Sequence, residues 1–286
     1  MMCRAHYVEY HEQDLIEARK KDPNFGFLTY WIQQQLKKNM NLNVVVVGGP
    51  GNGKSVACCI MNKKVDPDFT PSTRTCFNGE EFSTKISEPE KYGLSPGSGI
   101  MYEEGGVGMS SRRSQSGGNM SVNVILQTFR YQNLLTTFNV PDLSFIDKQV
   151  RRLTHLIIYM KKVTSRGYSI GEIYFVENNH MGGEPRYIKG LYIKNLDSGR
   201  TKRYATVRFW TGESRCGIER SKMWKAIIKE YELAATEFKG KLATAQKERF
   251  QTSMTDSLGA GAARKTSKSE SSRFTQQEKQ RTEVFL

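Results

Sequence analysis

The chain has 286 residues, enough to bury one substantial core with length left over for appendages. Its 43 Lys and Arg against 29 Asp and Glu leave a formal net charge of +14, which points to an acidic partner, nucleic acid or an anionic surface, and says nothing about fold. No apolar run approaches the length of a membrane span and the polar N-terminus lacks a signal-peptide core, so the expectation is a soluble cytoplasmic protein, at most peripheral at a membrane.

Residues 1–40 read as a helical lead-in. The stretch 13–21 is charged and free of turn residues, and Asp22-Pro23-Asn24 breaks it. Phe27, Tyr30, Trp31 and Leu36 then share one face of a helix over 27–38. His6 and His11 flank Glu9, but their spacing is not HExxH, and solvated surface is expected there. The β-branched run 43–47 suits a strand buried on both faces, followed by a helix over 56–63. Cys58 and Cys59 lie in that apolar helix as small core residues. With Cys3, Cys76 and Cys216 they form no CxxC pair, which fits a reducing compartment.

Further along, a strand is predicted over 73–77, a helix over 78–86, a Gly- and Pro-containing loop over 92–98 and a strand over 99–103. Residues 105–118 are dense in Gly, Ser and Arg and are expected to form a mobile active-site loop. A helix over 119–132 and a strand over 134–140, closed by Pro141, complete an alternation of strands and helices. That alternation specifies an α/β fold with a mainly parallel sheet flanked by helices, and with the phosphate loop described next a P-loop NTPase core. After Arg152 come the strand-like runs 153–161, 171–176, 186–193 and 203–210, a β-rich extension that either widens the core sheet or forms a subdomain. A long helix over 221–247 carries Trp224, Ile227, Ile228, Tyr231, Ala235, Phe238 and Leu242 as a stripe expected to dock on the core. Beyond Thr252 the composition predicts disorder. The expected organisation is thus a lead-in (1–40), a core (41–152), a β-rich extension (153–220), a C-terminal helix (221–251) and a basic tail (252–286).

The sharpest signal is Gly48-Gly49-Pro50-Gly51-Asn52-Gly53-Lys54-Ser55, which fits G-x-x-x-x-G-K-[ST] at every fixed position, with Val56 following in the helix. Glycines let the backbone turn tightly and aim its N–H groups at phosphate oxygens, and the helix opening at Gly53 adds its N-terminal partial charge. In this pattern Lys54 reaches the β- and γ-phosphates and Ser55 ligates Mg²⁺, so ATP and Mg²⁺ are the expected cofactors. Ile100-Met101-Tyr102-Glu103-Glu104 supplies an apolar strand ending in two carboxylates. Glu103 is expected at the metal-side position, where Asp is usual, and Glu104 as the base that activates water. Arg112, Arg113, Arg130, Arg151 and Arg152 are candidates for a guanidinium that meets developing phosphate charge, with Arg130 favoured.

With GGPGNGKS, IMYEEGGVGMSSRR and QTFRYQNLLTTFNVPDLSFID in place, residues 40–152 resemble the FtsK–HerA superfamily of P-loop ATPases. Its small archaeal viral and plasmid members and the zonula-occludens-toxin-like phage ATPases are the most similar in layout. The resemblance implies that Arg130 acts as a finger across a subunit interface and that Asn139, before Pro141, stands where the γ-phosphate sensor is commonly Gln. It further implies a homo-oligomeric, hexameric ring that couples ATP hydrolysis to DNA translocation or packaging for a virus or mobile element. Two alternatives stay open: an assembly or secretion ATPase acting on a coat protein at a membrane, and a nucleotide-binding switch.

Overall fold

The computed structural model describes residues 7–11, 13–14, 16–17, 26–38, 40–103, 125–178, 184–212, 218–245 and 247. The chain divides into a first unit, Met1–Ala234, and a second, Ala235–Leu286. In chain order the elements are β1 (Tyr7–Tyr10), α1 (Gly26–Lys37), β2 (Leu42–Val47), α2 (Lys54–Val65), the single turn α3 (Pro71–Arg74), β3 (Thr75–Cys76) and α4 (Gly79–Ser87). There follow β4 (Gly99–Glu103), β5 (Leu135–Val140), α5 (Lys148–Leu153), β6 (Leu156–Val163), β7 (Tyr168–Glu177), β8 (Arg186–Lys189), β9 (Leu191–Asn195), β10 (Thr201–Tyr204) and β11 (Thr206–Trp210). Helix α6 spans 218–245, and its residues from 235 onward belong to the second unit.

Strands buried on both faces pair in parallel, because helices must cover both sides of such a sheet. Accordingly β3, β4, β5, β2 and β6 lie side by side in that order, all parallel. The sheet then continues antiparallel into β7, which β11 and β8 extend along its first and second halves. Every residue of β2 and β5 is buried. Helices α1 and α2 cover one face: Trp31 meets Phe175 edge-on at 4.9 Å, and Asn62 of α2 donates to the Thr137 hydroxyl of β5 at 2.7 Å. The Thr137 hydroxyl in turn donates to the Ile100 carbonyl of β4 at 3.5 Å, so it is paired in the middle of the sheet. The other face is apolar, with Phe82 and Ile86 of α4 and Val150 of α5 in one cluster with Val45, Tyr102 and Phe138. Cys58, Cys59 and Cys76 are buried, and burial pushes all three thiols up, Cys76 to about 12.

The β-rich stretch does not stand apart from the core, since β6, β7, β8 and β11 all belong to the P-loop sheet. Two runs expected as single strands are each split between sheets. Gly190, at φ 87°, turns the chain from β8 into β9, and Ala205 separates β10 from β11. A side chain at Gly190 would press on Arg203 and on the Tyr204 carbonyl, so only glycine lets the two sheets part there. Strands β9 and β10 form a small three-stranded sheet with β1, which pairs in parallel with β9. Strand β1 lay within the expected helical lead-in. Its partner lies at Tyr192–Asn195, far along the chain, so no local pattern marks it.

Two further expectations are corrected. The strand over 73–77 shrinks to Thr75–Cys76, because Pro71 opens a helical turn that holds Arg74 against Asp66. The strand over 153–161 begins at Leu156, since Asp147 caps α5 by accepting from Gln149 N at 2.7 Å and the helix runs through Leu153. Within the expected helix 119–132, residues 125–128 are helical and Phe129–Gln132 form a 3₁₀ turn. Residues 119–124, the loop 105–118 and the tail 252–286 lie outside the described residues.

Asp66 and Arg74 form a buried ion pair that fixes where β4 starts. The Asp66 carboxylate also accepts from Gly99 N and Asp68 N, both at 2.9 Å, while Arg74 donates to the Tyr92 and Gly93 carbonyls. Removing one partner would strand the other charge in the interior. Asp66→Ala is therefore expected to lower unfolding free energy by about 3–5 kcal/mol, read from the midpoint of urea denaturation at unchanged slope.

Candidate functional site

Residues 48–53 leave the end of β2 and re-enter the fold as the first turn of α2, so the loop must reverse within a few residues. Gly48, Gly51 and Gly53 do this at φ 150°, 75° and 79°. Two of these positions are also crowded. A Cβ on Gly48 would lie 2.5 Å from the Met160 carbonyl oxygen, and one on Gly53 would overlap the Ser169 side chain. Strands β6 and β7 thus press the loop from one side, and Asn52 fastens it there by donating to Met160 O at 3.1 Å. Pro50 and Gly51 remain exposed at the tip, and Val56 is half-buried in the first turn of α2.

Helix α2 has no side-chain cap at Gly53, which leaves its leading N–H groups available to an anion. Lys54 donates to the Gly49 carbonyl at 3.1 Å, spanning the loop mouth. Burial lowers the Lys54 pKa, and the nearby Glu103 charge opposes that shift.

The strand order decides what faces this loop. Strand β5 is interposed between β2 and β4, so the acidic end of β4 does not lie directly beside the P-loop strand. Asn139 of β5 sits in register with Val46 on one side and Glu103 on the other. From there its Nδ2 donates to the Ser55 hydroxyl at 2.9 Å and to the Glu103 carboxylate at 2.6 Å. Asn139 is almost fully buried, and among the described residues its Oδ1 has no hydrogen-bond partner. It is the Asn139 nitrogen that faces this pair, so the oxygen donors there are the Ser55 hydroxyl and the Glu103 carboxylate, the chemistry a hard cation such as Mg²⁺ requires. Ser55 and Glu103 therefore fit Mg²⁺ by donor type.

A fourth residue completes the group. Tyr231 of α6 donates its phenol hydrogen to Ser55 Oγ at 3.1 Å. Burial first, and the Glu103 charge second, push the Tyr231 pKa up, so the phenol stays protonated and remains a donor. Beside it a hollow of about 440 Å³ opens in front of Gly51, Lys54 and Ser55, with Phe209, Ile228 and Tyr231 on its far side. The only sequence signal for Tyr231 was a hydroxyl-bearing ring within an otherwise apolar helical stripe, which reads as packing until its partner is visible.

Glu104, Arg112 and Arg113 lie outside the described residues, and the backbone of Arg130 falls in the 3₁₀ turn that precedes β5 rather than in a longer helix. Arg151 and Arg152 lie in the last turn of α5. His11, considered with Glu9, is hydrogen-bonded to Asp197 at 2.8 Å.

A glycine loop curling between a buried parallel strand and a helix, with Ser55 facing the acidic end of a strand two places away, decides the fold. The chain has a P-loop NTPase core. No protein-family profile and no curated protein matches it. Among solved structures it is similar to the N-terminal domain of zonular occludens toxin from Neisseria meningitidis, at 14% identity over 58% of this chain and 94% of that one, with a TM-score of 0.35. It is also similar to the FIGL-1 AAA domain, at 20% identity over 42% of each chain and a TM-score of 0.28. The ADP complex of that domain gives 15% identity over 52% of each and a TM-score of 0.31. At these values the likenesses are partial, and the assignment stands on the strand order and loop geometry of this chain.

Gly53 has both a left-handed backbone and the Ser169 side chain against it. Gly53→Ala is expected to cost at least about 1–2 kcal/mol from the backbone alone, with Ser169 adding to it. The expected result is a lower thermal midpoint. A midpoint equal to wild type would contradict the close packing of β7 on the loop.

Proposed function

We propose that the protein binds ATP with Mg²⁺ and hydrolyses it, and that this turnover drives movement or packaging of DNA by a homo-oligomeric ring. The observation that carries the ATPase reading is the convergence of Ser55, Asn139 and Glu103 beside the glycine loop. In this reading the backbone N–H groups of Gly51, Gly53 and Lys54 cradle the phosphates and Lys54 leaves Gly49 O to pair with the terminal phosphate oxygens. Ser55 and Glu103 hold the metal, and Asn139 lies between them, where it can sense the γ-phosphate. Bound Mg²⁺ supplies electrostatic stabilisation of the phosphoryl oxygens. Glu104, which follows Glu103 in sequence, orients the attacking water and takes its proton. Arg130 reaches the phosphate of a neighbouring subunit and meets the charge that develops in the transition state. The excess of Lys and Arg supports DNA as the substrate moved, because neutralising phosphates along a duplex needs cations.

Lys54→Ala is expected to abolish ATP turnover, and normal hydrolysis by that variant would overturn the site assignment. Glu104→Gln is expected to keep ATP binding while turnover falls by about two orders of magnitude or more, measured as phosphate release beside equilibrium binding. The motor reading predicts that DNA stimulates the ATPase and that the stimulation falls steeply with salt. ATPase activity indifferent to DNA but raised by lipid vesicles would transfer the role to assembly at a membrane.

A further inference from the structure

Ser55 Oγ has two lone pairs, and two donors already point at it: the Asn139 amide at 2.9 Å and the Tyr231 phenol at 3.1 Å. A divalent cation ligated by this hydroxyl needs one of those lone pairs. One donor must therefore withdraw whenever the metal arrives. The two donors are held differently. Asn139 lies within a strand paired on both sides and is tied a second time to Glu103 at 2.6 Å. Tyr231 reaches the site from α6, an element outside the sheet.

Within the first unit, polar contacts among the described residues fasten α6. Fully buried Ser221 donates to the Thr211 carbonyl at 2.7 Å, Glu230 accepts from Ser72 N at 3.0 Å and from its hydroxyl, and Tyr231 reaches Ser55. Trp224, Ile227 and Tyr231 form the buried stripe of the helix, so the phenol is the polar end of an apolar seam. The hollow in front of Lys54 and Ser55 is bounded on that side by Ile228 and Tyr231, and anything that fills it meets α6.

We infer that Tyr231 is a positioning residue that competes with the metal for Ser55: it holds α6 against the P-loop while Ser55 is free of metal and is expelled when Mg²⁺ and nucleotide bind together. The inference rests on the proposed nucleotide site and adds its regulation. Metal loading is felt at Ser55 and read out by α6, while nucleotide without metal leaves the Tyr231 bond intact. Expulsion costs one hydroxyl hydrogen bond, so the latch weakens metal-dependent binding without blocking it.

The test compares ADP affinity of wild type and Tyr231→Phe, each in Mg²⁺ and in EDTA, by titration calorimetry. The expected result is equal affinity in EDTA and a gain on adding Mg²⁺ that is about three- to ten-fold larger in the variant, the worth of one hydroxyl hydrogen bond. A gain equal to or smaller than that of wild type would overturn the latch while leaving the nucleotide site standing. Failure of wild type to bind ADP under either condition would overturn both. As a second readout in the otherwise native chain, 3-fluorotyrosine at position 231 should shift its fluorine resonance with ADP and Mg²⁺ and not with ADP in EDTA. Identical spectra in the two conditions would also overturn the latch.

Discussion

The structure depends on one interposed strand. Because β5 separates β2 from β4, a side chain at its C-terminal end is the natural bridge between the P-loop helix and the acid on β4. Asn139 makes that bridge with a single nitrogen, donating to Ser55 and to Glu103. Parallel register makes the bridge unavoidable, since Asn139 is in line with Glu103 and with Val46, two residues before Gly48. Moving β5 by one residue would turn Asn139 to the opposite face of the sheet, where Phe138 and Val140 pack in the apolar cluster.

That requirement explains where polar atoms are tolerated in the interior. Asn62, Thr137 and Asn139 lie on the α2 side of a strand otherwise surrounded by apolar packing, and hydrogen bonds from Asn62 and Asn139 join α2 to β5 and β5 to β4. The Asp66–Arg74 pair does related work at the other end, where Asp66 accepts from Gly99 at the start of the strand that carries Glu103. Both ends of β4 are thus tied by polar groups that would be costly to leave unpaired in the interior. A site that must hold charge needs its side chains locked by such neighbours, because small displacements weaken every electrostatic contact within it.

The β-rich half proves to be part of the same construction. Met160 and Ser169, on β6 and β7, are the surfaces against which Gly48 and Gly53 fit, and Phe209 on β11 borders the hollow in front of the loop. These residues carry no motif. Their contribution is shape, made by backbone and small side chains brought close by antiparallel pairing, and a linear reading has no pattern by which to recognise it. Helix α6 was legible as an amphipathic helix from its three- and four-residue spacing, yet that spacing gives Tyr231 the same standing as Trp224 or Ile227.

The local chemistry was written in the sequence. Glycines at 48, 51 and 53 followed by Lys54 and Ser55 fix a phosphate-cradling turn, because so few residue types tolerate those backbone angles. The runs 43–47, 99–103 and 134–140 mark three buried strands through their largely apolar and β-branched character. Tertiary structure alone decided which strands are neighbours, that Gly190 and Ala205 divide two runs between two sheets, and that a tyrosine more than a hundred residues from the loop reaches Ser55. The reason is physical: φ, ψ and periodicity are set by a few adjacent residues, whereas register, sheet order and the partner of a buried hydroxyl arise from packing among segments distant in the chain.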